Sequence, residues 1–352
     1  MITILLKMFD LQIVIITIKE FSMKKYIIPF VLLVVATVMA ACSSDEPITE
    51  STDDKLQVYT TVYPLQYFTE RIGGDFVQVQ SVYPAGANEH TFEPTQKDMM
   101  ALADADIFFY IGQGLEGFVE NAKKTLANEH VKLVATADRV TEEQFHISTG
   151  HIHAEEEHDE EDHDHDHEGH EDHENEGHED HDTHVWLSPI ISKDLALSIK
   201  EELTTALPEQ ADLFTKNYED LVADLDALHA DYEAMAAQTK NKTFFVSHAA
   251  FGYIAGHYGL TQVPIAGFNS QSEPSQKELT AIVDLAKKED VKYIFFEQNV
   301  SSKLAEVIQK EVGAEPLILH NLSVLTKEDI ENGENYFTLM RRNMEQLEKA
   351  LN

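Results

Sequence analysis

Residues 208–235 read PEQADLFTKNYEDLVADLDALHADYEAM, with apolar side chains at Ala211, Phe214, Tyr218, Leu221, Leu225, Leu228, Tyr232 and Met235, in alternating steps of three and four. That spacing puts all eight on one stripe of a single long helix, about 40 Å at 1.5 Å per residue, with Pro208 at its start. Such a stripe serves either as the seam of a coiled-coil dimer or as a spine buried within one chain. The flanking sequence favours the spine. Short β-rich runs occur upstream at 57–62, 76–82, 107–111 and 131–135, and downstream at 243–247, 262–265, 292–296 and 317–319. Several are continuously apolar, as parallel strands covered on both faces are. The expected fold is α/β, with an N-terminal lobe over 55–190, a helical linker over 191–240 and a C-terminal lobe over 241–352.

The chain has 352 residues, 43% of them hydrophobic, enough for two domains with real cores. Its 26 basic against 63 acidic residues give a net charge of −37, which repels nucleic-acid backbones and anionic lipid surfaces. Nucleic acid is therefore not an expected partner. Cys42 is the single cysteine, so thiolate-rich metal sites, iron–sulfur clusters and intramolecular disulfides are excluded. A metal must be held by His, Asp, Glu or water.

Residues 1–41 read as a signal region, with translation expected to begin at Met23. Lys24 and Lys25 form a basic start, 26–39 an apolar run, and Ala40 and Ala41 precede Cys42. The run is short for a membrane span. The layout resembles a bacterial lipobox, with Met39 where Leu is usual, and places a lipid on Cys42; the alternative is a plain signal peptide with an incidental cysteine. Residues 43–54, SSDEPITESTDD, are polar and aperiodic, as a tether is. The protein is thus expected on the outer face of the cell membrane, anchored through its N-terminus.

Residues 141–183 read as a disordered loop inserted in the first lobe. Residues 151–182 run HIHAEEEHDEEDHDHDHEGHEDHENEGHEDHD, and no Lys or Arg occurs between Val140 and Ser192. Such composition cannot bury enough apolar surface to offset chain entropy. Twelve of the 18 histidines lie between His146 and His184. Imidazoles alternating with carboxylates make overlapping weak sites for borderline divalent cations, whereas a simple acidic spacer would need no histidine.

Outside the insertion, His90 lies in a loop of small and turn residues after a strand, and His184 stands where the insertion returns to ordered chain. His248 ends the apolar run FFVSH, and Glu297 ends YIFFE. Ligands of open α/β sheets gather at the carboxyl ends of strands, so three imidazoles and one carboxylate could converge there. Taken singly, each is equally a satisfied polar residue or a helix cap. His130, His229, His257 and His320 lack comparable surroundings and are not nominated.

The blocks VYPLQYF (62–68), YPAGANEHTFEPT (83–95), DADIFFYIGQGLEGF (104–118), HVWLSP (184–189), FFVSHAAFGYIAGHYGL (244–260), EPSQKEL (273–279) and FEQNVSSK (296–303) together resemble the cluster A-I solute-binding proteins. These are the metal-binding subunits of bacterial ABC importers, and the likeness is strongest to their zinc-specific branch. It extends over about 56–351. The resemblance implies two similar α/β lobes joined by a rigid helix and a metal held in the interlobe cleft by His90, His184, His248 and Glu297. It further implies a monomer that delivers Zn²⁺ to a membrane permease driven by an ATPase. Asp182-Thr183 stands where the family has Asp-Pro, so His181 is the alternative to His184. Some streptococcal-type relatives carry an additional C-terminal zinc-binding domain, which is not expected here.

Imidazole nitrogen favours zinc, whereas manganese prefers hard oxygen donors, so a third imidazole at His248 points to Zn²⁺. One tight interlobe site is expected, with weak sites in the insertion that fail below about pH 6, where protonated imidazoles cannot ligate. Tyr63 and Phe92 are candidates to shield the cleft from water. Two other classes compete. A secreted zinc hydrolase needs a general base beside metal-bound water, yet H-E-x-x-H and G-x-S-x-G are absent and only Glu89 adjoins a candidate ligand outside the insertion. An extracellular zinc buffer or adhesin would use the insertion itself as the working part. Deletion of 146–182 separates these readings: a transport protein keeps one tight site, a buffer loses all binding.

Overall fold

Each half of the chain lays its strands in the same order, and that order places the site. The computed structural model describes residues 55–149, 181–268, 274–298 and 302–352. The signal region, Cys42, the tether and insertion residues 150–180 lie outside the described residues.

In the first lobe, β1 (Leu56–Thr60), α1 (Tyr63–Gly73), β2 (Val77–Ser81), α2 (Gln96–Ala103), β3 (Ile107–Tyr110), α3 (Val119–Thr125) and β4 (Lys132–Ala135) alternate, followed by the single turn α4 (Glu142–Phe145). The strands form one parallel sheet in the order β2-β1-β3-β4. Every residue of β3, IFFY, is buried, as its continuous apolar run requires. Helix α2 begins at a capping box in which Thr95 and Asp98 satisfy each other's backbone N–H.

After α5 (Pro189–Ala206) and α6 (Ala211–Gln238), the second lobe repeats the pattern: β5 (Thr243–Val246), α7 (Gly252–His257), β6 (Thr261–Pro264), α8 (Gln276–Lys288), β7 (Tyr293–Phe296), α9 (Lys303–Val312), β8 (Glu315–Ile318), α10 (Lys327–Glu331) and α11 (Tyr336–Leu351). Its parallel order is β6-β5-β7-β8. In both sheets the chain reverses its lateral direction between the two inner strands. The crevice beyond their carboxyl ends is the place where α/β sheets take ligands.

Helix α6 is the expected spine, 28 residues and about 42 Å long. Pro208 opens a 3₁₀ turn just ahead of it. Phe214, Leu221, Leu225, Leu228 and Tyr232 are fully buried, while Ala211 and Tyr218 are half-buried. The stripe is covered within the chain, by α1 and α5 on one side and α11 on the other. Tyr232 fixes the last contact by donating its hydroxyl to Met340 O across 2.8 Å.

One expectation about organisation is enlarged and another needs correction. The final helix packs on β5 and β8 of the second lobe, and its first turn also reaches the first lobe, where the fully buried Tyr336 ring meets Phe68 of α1 edge-on at 5.0 Å. Its hydroxyl donates to Trp186 O across 2.9 Å. One apolar core therefore runs from the first sheet through α5, α6 and α11 into the second lobe, and a smaller cluster around Phe245, Ile282, Ile294 and Ile308 fills the far side of the second sheet. Secondly, the stretch expected as unstructured, 141–183, is ordered at both ends. Thr141 and Gln144 form a capping box on α4, Phe145 joins the core, and Asp182 is 2% exposed. Apolar Phe145 and the neutral residues 147–149 anchor the entry, and the buried bonds of Asp182 anchor the return.

Among the described residues no helix is long and apolar enough to cross a membrane. Because Leu225 sits at the centre of the spine stripe, Leu225→Ala should destabilise the protein by about 2–5 kcal/mol, read as a lower midpoint in guanidinium unfolding.

Candidate metal centre

His248 and Glu297 come from adjacent strands of the second sheet. His248 stands two residues past β5 and Glu297 directly after β7, and these strands pair at Phe245 and Ile294. The His248 Nδ1 and Glu297 Oε1 lie 2.9 Å apart, both side chains buried. From the first lobe, His90 arrives on the loop after β2, where its N–H donates to Asn88 Oδ1 across 3.0 Å in an Asx turn. His184 opens the short turn Val185–Leu187, which Trp186 locks by donating its indole N–H to Asn321 O across 2.7 Å.

The three imidazoles form a near-equilateral triangle. Ring centroids lie 5.3 Å apart for His90 and His184, 5.2 Å for His90 and His248, and 5.0 Å for His184 and His248. Each offers a ring nitrogen within 4.8 Å of the others, and among the described residues no other group of His, Cys, Asp or Glu does so. Nε2 of His90 and Nε2 of His184 are buried with no hydrogen-bond partner. A buried ring nitrogen without a partner costs about 1–3 kcal/mol, so two of them aimed at one point suit an ion better than they suit a packed core.

The protonation states agree with that reading. Burial, reinforced by the charges of His184 and His248, pushes His90 down to about 2, which keeps it neutral and its lone pair available. His184 Nδ1–H donates to Asp182 Oδ1 across 2.8 Å, and the same oxygen accepts the His184 backbone N–H across 3.0 Å. The tautomer is thereby fixed with Nε2 as acceptor, the arrangement by which a carboxylate orients a metal-bound histidine. His248 differs. Burial works against its charge, but Glu297 and the Phe268 carbonyl, 2.7 Å from Nε2, outweigh burial and raise it to about 9. Both its ring nitrogens donate, so ligation requires it to release a proton.

Glu297 is not a member of the triangle in this arrangement. Its Oε1 faces His248 and its Oε2 accepts from Asn321 Nδ2 across 2.7 Å. His181, the alternative to His184, lies elsewhere, stacked on Phe145 at 4.6 Å. Phe92 packs edge-on against Tyr83 at 5.0 Å, and Tyr63 is buried with its N–H on Ser323 O.

Several supporting residues escaped sequence reasoning. Asn321 Nδ2 also donates to Glu89 Oε1 across 3.0 Å, and Ser323 Oγ donates to Glu89 Oε2 across 3.0 Å. Burial and the charge of Glu297 push the Glu89 carboxyl above its usual range. His320, passed over in the sequence, shapes this loop: its Nδ1 accepts the Leu322 N–H across 2.9 Å, and its Nε2–H donates to Asp329 Oδ2 across 3.1 Å. The available signal was positional, because 319–323 follow β8 at the same carboxyl edge as His248 and Glu297.

The family described as zinc-uptake complex component A, periplasmic, ZnuA, matches residues 58–350. The chain belongs to the ZnuA family. The zinc-binding protein AdcA of Streptococcus pyogenes is 36% identical over 297 residues, covering 84% of this chain and 56% of AdcA. The chain thus spans little more than half the length of that relative. The high-affinity zinc uptake system protein ZnuA of Bacillus subtilis is 34% identical over 330 residues, covering 93% of this chain and 98% of its own. Among solved structures, the Zn(II)-bound ZnuA-like domain of Streptococcus pneumoniae AdcA is similar with a TM-score of 0.65 and 31% identity, covering 84% of this chain and 99% of that domain. The two-lobed fold and ZnuA-family membership agree with the sequence reading.

Asp329 gives this scaffold a pH signature. Burial opposes its charge, but hydrogen bonds from His320 and Thr326 outweigh burial and hold the carboxyl below its usual range. A depressed folded pKa adds stability above the unfolded value of about 3.9, and this is lost as pH falls through the folded value. Asp329→Asn should therefore be less stable than wild type at pH 7, with the gap shrinking below about pH 4, as measured by urea midpoints at both pH values.

Proposed function

We propose that this protein is the lipid-anchored, extracellular zinc-capturing component of an ABC importer, delivering Zn²⁺ to its membrane permease. The carrying observation is the triangle of His90, His184 and His248 with two buried, unpartnered Nε2 atoms. Three imidazoles favour zinc over manganese, and the carboxylates of Asp182, Glu89 and Glu297 around them suit a divalent cation. Glu297 supplies the fourth donor once its Oε1 exchanges the His248 Nδ1 contact for the ion, a role that its strand-end position beside His248 supports. Relatives named for zinc binding and zinc uptake support the same cargo. Anchorage through Cys42 is supported by the lipobox-like segment, and a pneumococcal relative 35% identical over 317 residues is named a zinc-binding lipoprotein.

The relatives named above are zinc-binding and zinc-uptake proteins, and the protein is not an enzyme. The acid best placed to serve a hydrolase, Glu89, has both oxygens engaged by Asn321 and Ser323. The buffer reading places the working part in the insertion, whereas the triangle lies wholly outside 150–180.

Calorimetric titration of Zn²⁺ into the mature chain, with and without 150–180, tests the proposal. The deletion is confined to that range because 141–149 and 181–183 are structural. One tight site should survive it, with total stoichiometry reduced. Disappearance of all binding would overturn the transport reading. His248→Ala should weaken the surviving site by more than the roughly 10–100-fold that loss of a supporting partner causes, with the fold retained by circular dichroism.

A further inference from the structure

The two ends of the histidine-rich insertion meet on the second lobe. Ser148 Oγ donates to Asp182 Oδ2 across 2.6 Å, tying the entering segment to the returning one in a buried bond. Three further bonds fasten this junction to the second lobe. Thr149 N–H donates to Gly252 O across 3.2 Å, Gln262 Nε2 donates to Thr149 O across 3.3 Å, and the Tyr253 hydroxyl donates to Asp182 O across 2.5 Å.

This approach depends on two glycines of α7. A Cβ on Gly252 would fall onto Ser148 Oγ and within 2.8 Å of Asp182 Oδ2, and one on Gly256 would fall onto the Ile147 carbonyl oxygen. Neither glycine has a positive φ, so backbone conformation does not demand them. A glycine inside a helix costs about 0.5–1 kcal/mol relative to alanine, and α7 carries two in six residues. What they provide is room for the first lobe's chain to lie directly on the helix.

We infer that Ser148, Gly252 and Gly256 are positioning residues for the metal centre. The glycine face of α7 seats residues 147–149, Ser148 holds one oxygen of Asp182, and the other oxygen of Asp182 aims His184 Nε2 into the cleft. A first-lobe ligand is thus directed by a second-lobe helix, so the seating of the lobes and the aim of His184 are set by one contact. The inference rests on the metal-binding reading above and deepens it.

The test is zinc chloride binding to the full mature chain, measured by competition against a chromophoric chelator, with melting temperature of the metal-free protein as the second readout. Ser148→Ala should weaken the tight site about 10-fold with its one-ion stoichiometry kept and the metal-free melting temperature nearly unchanged, whereas Gly256→Ala, whose methyl must displace the Ile147 backbone, should weaken the site by at least as much and also lower the melting temperature. Gly117→Ala, where an added methyl meets open space, should match wild type in both. A merely structural role would lower the melting temperature and leave affinity in place, and that result overturns the inference. If Gly256→Ala does not fold, Ser148→Ala decides alone. His90→Ala and His248→Ala separate the two claims. Tight binding that survives both overturns the metal-site reading and this inference with it; tight binding lost in both but unchanged in Ser148→Ala overturns the inference alone.

Discussion

Two imidazole nitrogens, Nε2 of His90 and Nε2 of His184, are buried without a hydrogen-bond partner, and the chemistry of the site depends on their staying so. A histidine in a core normally satisfies both nitrogens, by rotating or by exchanging tautomer. For His184 the tautomer escape is closed. Asp182 takes the opposite nitrogen of His184, and burial among other imidazoles keeps His90 neutral. The unmet acceptor capacity is paid for by the continuous core beneath, in which Trp186, Tyr336 and Phe68 hold the His184 turn against α1, α5 and α11.

Much of this was legible in the sequence because it rests on short-range rules. The eight strands fall within one or two residues of the apolar runs, and α6 buries most of the stripe that its three-four spacing marks. His248 could be named because strand-end position and local motif coincide there, and His90 and His184 because each sits in a distinctive loop motif. The rest depends on long-range packing that leaves little trace in local pattern. Nothing about Tyr336 or Phe68 alone says that the last helix also reaches the first lobe. Asn321 is an ordinary polar residue until β8 carries it between Glu89 and Glu297. The composition of the insertion hid the order at its ends, since charge near 150–180 overwhelms the short apolar and neutral stretch 145–149 in any window that includes both.

The same division explains Glu297. Sequence placed it correctly at the end of β7, beside His248, but could not say which way its two oxygens face. In the structure they join the hydrogen-bond chain linking His248, Asn321 and Glu89. That chain crosses from one lobe to the other, so a carboxylate expected to act on an ion also helps to hold the halves in register.

The reach of α11 across both lobes also bears on the order in which the molecule can be assembled. Residues 336–351 are synthesised after every other part of the described core, yet the Tyr336 hydroxyl supports the carbonyl of Trp186, two residues from His184. A nascent chain that has not reached this helix has its first sheet and spine but lacks the brace behind one side of the triangle. Completion of the cleft therefore waits for residues 336–351, so the triangle gains its brace only after both sheets and the spine have been made.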